Sequence, residues 1–194
     1  MITRMSKKIS SYFVIHKIIP ADDQEVYEYS FEVLLSTIIS FIALFLLAAI
    51  SNTMLLTSLY LLGFIPLRLI AGGFHAKSNL RCFVILIFAY STYLAIIRLV
   101  PPGYLVIGTG ISMVLSCTLV FMLAPSEDAN KPITREEHRK FKKKSRITII
   151  CYFVLVFIII TIVTDKRPAL SIAAGNATVA ISLLANFIKA RINK

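Results

Sequence analysis

FEVLLSTIISFIALFLLAAIS, running from Phe31 to Ser51, decides the class of this protein. A helix needs about 20 consecutive apolar residues to cross the hydrocarbon core of a bilayer, and this stretch supplies them. Five further runs have the same character: Thr53–Ile70, Phe83–Val100, Gly103–Ala124, Ile147–Thr164 and Ala169–Ile188. Breakers separate them. Ser51-Asn52-Thr53 makes a tight hairpin, Pro101-Pro102-Gly103 divides the third run from the fourth, and Asp165-Lys166-Arg167-Pro168 divides the fifth from the sixth. The composition agrees: 57% of residues are hydrophobic and 16% charged, against about 25% charged in an ordinary soluble domain. A chain this small would still expose roughly 30% of its surface on folding, so lipid is its natural solvent. The expected fold is all-α: a polytopic integral membrane protein with six transmembrane helices in one membrane-embedded domain over residues 1–194.

Residues 1–29 are expected at the membrane surface. Within them, residues 1–20 form an amphipathic helix in which Ile9, Tyr12, Phe13, His16 and Ile19 recur at helical spacing beside four cations, and Pro20 stops it. No cleavable signal peptide is expected, because the first run long enough to span follows the acidic residues Asp22, Asp23, Glu25 and Glu28.

The net charge of +11 would suggest nucleic acid in a soluble protein. Here the cations sit at span ends, so anionic lipid is the expected contact and nucleic acid is not an expected partner. Of the 21 Lys and Arg, only Arg98, Lys166 and Arg167 fall on one side. The rest gather before the first span, in the second loop (Arg68, Lys77, Arg81), in the fourth (Lys131 to Arg146) and in the tail. The positive-inside rule then puts both termini in the cytoplasm, which an even number of spans permits.

The second cytoplasmic loop carries the candidate chemistry. It reads RLIAGGFHAKSNLRC from Arg68 to Cys82, with a histidine, a cysteine, two adjacent glycines and three cations at a membrane boundary. A thiol needs a nearby base or positive charge to act as a thiolate nucleophile. His75 can supply the base, and Lys77 and Arg81 the charge. Seven residues along one unbroken helix would separate His75 and Cys82 by about 10.5 Å of rise, too far for a hydrogen bond. A working pair therefore requires the chain to turn between them. Gly72-Gly73 provides a flexible break, and Ser78-Asn79 can cap a new helix whose first turn holds Cys82. The bland reading is a small apolar cysteine at a helix start and a surface histidine. Three cysteines without CxxC spacing argue against a disulfide scaffold. No further Cys or His lies near His75 and Cys82, so neither a metal nor any cofactor is expected.

The block Arg68…Gly72-Gly73-Phe74-His75-Ala76-Lys77…Cys82 resembles the core motif of the accessory gene regulator B (AgrB) family, membrane-embedded cysteine peptidases of Gram-positive quorum sensing. The later stretch from Ala124-Pro125-Ser126 to Ile133, followed by a basic run, is also similar to that family, as are the length and the six-span layout. The resemblance implies that His75 and Cys82 are the catalytic pair. It implies a bacterial cytoplasmic membrane, and a precursor signalling peptide of AgrD type as substrate, cut near its C-terminal end. An acyl-enzyme thioester on Cys82 would be displaced by a Cys or Ser of the peptide, giving a cyclic thiolactone or lactone.

Other residues have two readings each. The Gly72 and Gly73 amides can line an oxyanion hole or simply allow the turn. Arg68 can hold a substrate carboxylate or extend to lipid headgroups. Lys142, Lys143 and Lys144 in the basic run can hold an acidic peptide tail, contact lipid, or both. Cys117 and Cys151 read as packing residues, and His16 and His138 as solvent-facing. Asn176 lies within the last span and is expected to bond to a neighbouring helix, with Ala173, Gly175 and Ala177 permitting close approach. The competing function is a membrane exporter of a small peptide without protease chemistry; its spans would need polar or broken helices near the midplane. A homodimer is compatible with the sequence and not fixed by it.

Overall fold

The computed structural model describes residues 2–73, 79–126 and 134–192. Among these residues there are seven α-helices and no strand: α1 (Ile2–Ile15), α2 (Gln24–Ser51), α3 (Met54–Ala71), α4 (Asn79–Leu99), α5 (Pro102–Leu123), α6 (Arg135–Ile162) and α7 (Arg167–Ile192). Six of them, α2 to α7, are long and apolar enough to cross a membrane. The protein is all-α and built for a bilayer, as the hydropathy pattern requires. The residues group into two compact units. One contains α1, α2 and α4 as far as Phe88; the other begins at Asn52 with α3 and continues from Ala89.

In the first unit, α1 lies against the start of α2. Ser6 and Ser10 are fully buried and return their hydroxyls to the Thr3 and Lys7 carbonyls. Phe13 stacks on Phe31 with centroids 5.4 Å apart, Thr3 Oγ1 donates to Glu32 at 3.0 Å, and Gln24 donates to Ser11 at 3.1 Å. Met5, Tyr12 and Ile15 stay exposed beside Arg4 and Lys8, the mix of an interfacial helix. The helix is shorter than the sequence pattern suggests. It ends at Ile15, before Pro20. Lys17 turns to φ 56°, and the amides of Lys17 and Ile18 fall back on the carbonyls of Val14 and Phe13. That is a Schellman cap with lysine where glycine is usual. Pro20 instead precedes the short 3-10 turn Ala21–Asp23.

In the second unit, α7 is the central helix, with ten buried residues from Ala169 to Leu183. It runs beside α3 in the same direction: Tyr60 of α3 bonds Thr178 of α7, and Arg68 bonds Ser182. The two backbones approach closely through glycine. A Cβ at Gly63 would meet the Ile172 carbonyl, and one at Gly175 would meet the Tyr60 carbonyl. Small residues at such contacts let helices pack without the help of water. Pro66 lies inside α3 and has no N–H to give the carbonyl of Leu62. The Tyr152 hydroxyl of α6 donates to that carbonyl at 2.5 Å, so the freed acceptor is satisfied by a neighbouring helix.

Polar side chains are more plentiful inside the spans than the hydropathy pattern conveys. Tyr60, Tyr90 and Tyr93 form a buried cluster with ring centroids 5.1–5.8 Å apart. Their hydroxyls bond Thr178 at 2.8 Å, Thr57 at 2.5 Å and Ser171 at 2.6 Å. Thr109 and Ser116 donate to carbonyls one turn back on their own helix. Asn176 is fully buried and donates to Met113 Sδ on α5 at 3.8 Å, a bond to a neighbouring helix, while its Oδ1 has no partner. The tyrosine hydroxyls and Asn176 join helices to each other.

The basic run also differs from expectation. Residues 135–146 are not a loop. They are the first turns of α6, which spans 28 residues, about 42 Å at 1.5 Å per residue, more than a bilayer core requires. The cause is local: Thr134 accepts from the Glu137 amide while Glu137 accepts from the Thr134 amide, a capping box.

Candidate functional site

The site begins where α3 ends. The Gly72 amide donates to the Arg68 carbonyl at 3.1 Å and closes the helix. Gly72 then takes φ 73° and Gly73 φ 137°, backbone settings that side chains resist. Space forbids a side chain as well. A Cβ on Gly72 would lie 2.5 Å from the Ser126 carbonyl oxygen, and one on Gly73 would collide with the Arg68 guanidinium. The guanidinium fills the notch that Gly73 leaves open. Its Nη1 donates to the Gly72 carbonyl at 2.9 Å and to Ser182 Oγ of α7 at 2.7 Å. In this conformation the double glycine makes a turn, and the Gly72 amide is held within the protein.

The second stretch singled out in the sequence reaches the same place. Ala124-Pro125-Ser126 follows α5, and the Ser126 amide donates to the Ala71 carbonyl at 2.9 Å. Asn186 of α7 donates to the Ser126 hydroxyl. Two segments more than 50 positions apart in sequence are thereby tied to each other and to α7. Ser182 and Asn186 escaped the sequence reading; they are ordinary small polar residues until α3 and α5 are seen to end beside them.

Cys82 is exposed and occupies the fourth position of α4, in its first turn. It stands at the edge of a candidate span that starts at Leu80. Cys117 is half-buried within α5, whereas Cys151 is exposed on the apolar part of α6 and is not the packing residue the sequence suggests. His75 and Lys77 lie outside the described residues, as do residues 127–133 of the second motif. The His75–Cys82 pairing therefore has no geometry here. Arg81 belongs to the first turn of α4. Lys143 and Lys144 are exposed on α6, whereas Lys142 is half-buried on the face that continues into Ser145 and Ile149. His138 is half-buried on that same face. Arg146 stacks over Phe121 at 5.1 Å and donates to its carbonyl at 3.1 Å, securing the basic end of α6 to α5.

The family model of accessory gene regulator B matches residues 4–187. The chain belongs to that family. An AgrB-like protein of Listeria monocytogenes serotype 4a is 29% identical over 131 residues, covering 65% of this chain and 63% of its own length. An AgrB-like protein of Clostridium perfringens strain SM101 is 28% identical over 204 aligned positions, covering 94% of this chain and 91% of its own. The chain thus spans under two thirds of the length of the Listeria relative and most of the Clostridium one. No solved structure matches it. Family membership together with six helices able to span makes this a multi-pass membrane protein.

Proposed function

We propose that this AgrB-family chain is a cysteine endopeptidase that processes an AgrD-type signalling precursor in the bacterial cytoplasmic membrane. The observation that carries the reading is the placement of Cys82. Cys82 and Cys151 are both exposed, and of the two it is Cys82 that stands at a helix start on a span boundary, where a peptide arriving from water can meet it. The family model includes this position and His75 two residues beyond the glycine turn.

In the proposed reaction His75 takes the Cys82 proton as Sγ attacks the scissile carbonyl near the C-terminal end of the peptide. His75 then gives that proton to the departing amine, leaving the N-terminal part as a thioester on Cys82. A Cys or Ser side chain within that part attacks the thioester carbonyl, its proton passing through His75 to the Cys82 sulfur. The ring closes as a thiolactone or lactone, and the enzyme is restored. Low water at the boundary favours the internal nucleophile over hydrolysis.

The charge pattern supports an orientation with both termini, the α3–α4 turn and the start of α6 in the cytoplasm. On the opposite side, Arg167 is paired with Asp165 at 3.0 Å and Lys166 caps the Ile160 and Val163 carbonyls at the end of α6. The exposed Lys143 and Lys144 then stand where an acidic peptide tail would approach. Substituted-cysteine labelling tests this in a variant free of native thiols. Lys143→Cys should react with an impermeant maleimide only after the membrane is opened; labelling from outside intact cells would invert the topology.

A further inference from the structure

The first turns of α6 carry a row of cations that the rest of the helix leaves unpaired. Arg135, Arg139 and Lys143 follow one another at i, i+4 and i+8 and so form a ridge along one side. All three are exposed. The two carboxylates beside them are already engaged: Glu136 pairs with Lys140 at 2.8 Å, and Glu137 closes the capping box with Thr134. Among the described residues no carboxylate pairs with the ridge. Its orientation is fixed, because Ser145 and Ile149 are buried on the packed side and Arg146 donates to the Phe121 carbonyl at 3.1 Å. Depth then separates the three cations. Counted back from Ile147, where the apolar run begins, Lys143 lies about 6 Å, Arg139 about 12 Å and Arg135 about 18 Å further out. A typical tilt shortens these by less than about a tenth. The headgroup layer is only about 5–8 Å deep on each side, and helical side chains lean toward the N-terminus, here away from the bilayer. Headgroups therefore reach Lys143 and leave Arg139 and Arg135 in the water beyond them.

We infer that the ridge Arg135–Arg139–Lys143 is a docking rail for an acidic segment of the precursor peptide, held extended with carboxylates on alternate residues. Spacing supplies the register. Successive ridge positions rise about 6 Å along the helix, and alternate side chains of an extended chain recur about every 6.6 Å. The mismatch over the row is about 1 Å, within the reach of arginine and lysine side chains. Carboxylates on adjacent residues would point to opposite sides, and every second one would miss the ridge. The two arginines stand at the outer end, where a guanidinium can take a carboxylate through two parallel N–H bonds. A ridge already held in place by packing and by its cap loses little freedom on binding. The inference rests on the peptidase reading for the identity of the peptide, whereas the binding itself needs no catalysis.

The test uses the full chain with Cys82→Ala in phosphatidylcholine nanodiscs, so that binding is read without turnover. Two fluorescein-labelled synthetic peptides of one composition are compared by anisotropy at low salt. One carries its glutamates at alternate positions, the other side by side. The alternate peptide should bind several-fold more tightly. Arg135→Gln with Arg139→Gln should weaken it about 10-fold and abolish the preference, with melting unchanged because glutamine is a good helix former. Arg135→Lys with Arg139→Lys should fall between, since lysine keeps the charge and loses the fork. If the glutamine variant melts early, the same contacts are read on the unaltered ridge by replacing the peptide's glutamates with glutamine, and an equal loss is expected. Equal affinity of both peptides, or of the unaltered ridge and the glutamine variant, would overturn the rail. Phosphatidylglycerol nanodiscs decide against lipid: the ratio between the unaltered ridge and the glutamine variant should persist, and its collapse to one would assign the arginines to headgroups. With Cys82 restored, cleavage at an unchanged KM by the glutamine variant would overturn the rail and leave the peptidase reading standing. Ridge-dependent binding without any cleavage would do the reverse.

Discussion

At Gly63 and Gly175, within α3 and α7, a methyl group would run into the backbone of the opposing helix; at Gly72 and Gly73, just past the end of α3, it would run into Ser126 and Arg68. The first pair is helical and needs glycine for space. The second pair has φ of 73° and 137° and needs glycine for conformation as well. The first contact lies between spans, where backbone groups other than the Leu62 carbonyl freed by Pro66 are bonded within their helices and packing holds the helices together. The second lies where a helix stops and its carbonyls need other partners, here the Arg68 side chain and the Ser126 amide. One region holds α3 and α7 together, and the other shapes the turn after α3, which in sequence precedes His75. Substitutions should separate the two.

The largest effect is expected at the helix contact. Gly175→Val would drive α7 away from the Tyr60 carbonyl, and overpacking of this kind costs about 1–3 kcal/mol even where neighbours can adjust. Backbone cannot move aside as a side chain can, so a loss at the top of that range is expected, read as a large fall in melting temperature and in membrane abundance. Normal melting would show that α3 and α7 are not in register here. At the turn, Gly73→Ala should leave the spans assembled yet cut peptide processing by on the order of 100-fold, because strain of about 1–3 kcal/mol falls on the segment leading to His75. Full processing with normal abundance would break the distinction between the two glycine pairs.

The spans were legible because hydropathy is local: six apolar runs with Pro, Gly and Asn between them mark six helices without knowledge of any neighbour. Asn176 and the small residues beside it were legible for the same reason, since a polar amide in a span demands a partner. The helical start of α6 had a readable signal, Thr134 with Glu137 three residues on, masked by the density of positive charge that follows. The early end of α1 had none, because lysine is a rare occupant of a left-handed cap. The tyrosine cluster and the Leu62–Pro66–Tyr152 arrangement join residues of different helices, and no period in one segment announces them. Ser182 and Asn186 are of that kind too. The motif around Cys82 could be read as chemistry, but the α7 side chains that hold Arg68 and Ser126 at the turn after α3 come from the far end of the sequence.

A smaller effect sharpens the contrast on α6. Lys143→Gln with Lys144→Gln should weaken processing several-fold at low ionic strength, with the difference from wild type shrinking as salt rises, since exposed charges are screened beyond about 10 Å at 0.1 M. Lys142→Gln should act instead on melting, because that side chain is half-buried on the packed face. Salt-independent loss from Lys143 and Lys144 would remove them from substrate contact. The smallest effect belongs to the α6–α7 connection. Its hydrogen bond from Arg167 holds the Asp165 carboxyl below the usual carboxylate range. A depressed folded value means stability is present above the unfolded value of about 4 and is lost as pH falls through the folded one. Both side chains are about half-exposed, so solvent screening limits the contribution to under about 1 kcal/mol. Asp165→Asn should lower melting slightly at pH 7, and the difference should vanish under strongly acidic conditions. A difference that grows on acidification would contradict the sign.

The central claim is that Cys82 is the nucleophile, and cleavage by purified protein in liposomes tests it most directly. Wild-type chain given a precursor peptide should release the C-terminal fragment, and acid-quenched samples should contain enzyme heavier by the N-terminal acyl part, attached as a hydroxylamine-sensitive thioester. Cys82→Ala should release no fragment and carry no adduct while still melting as wild type. Cleavage by Cys82→Ala at a rate near that of wild type would contradict the account.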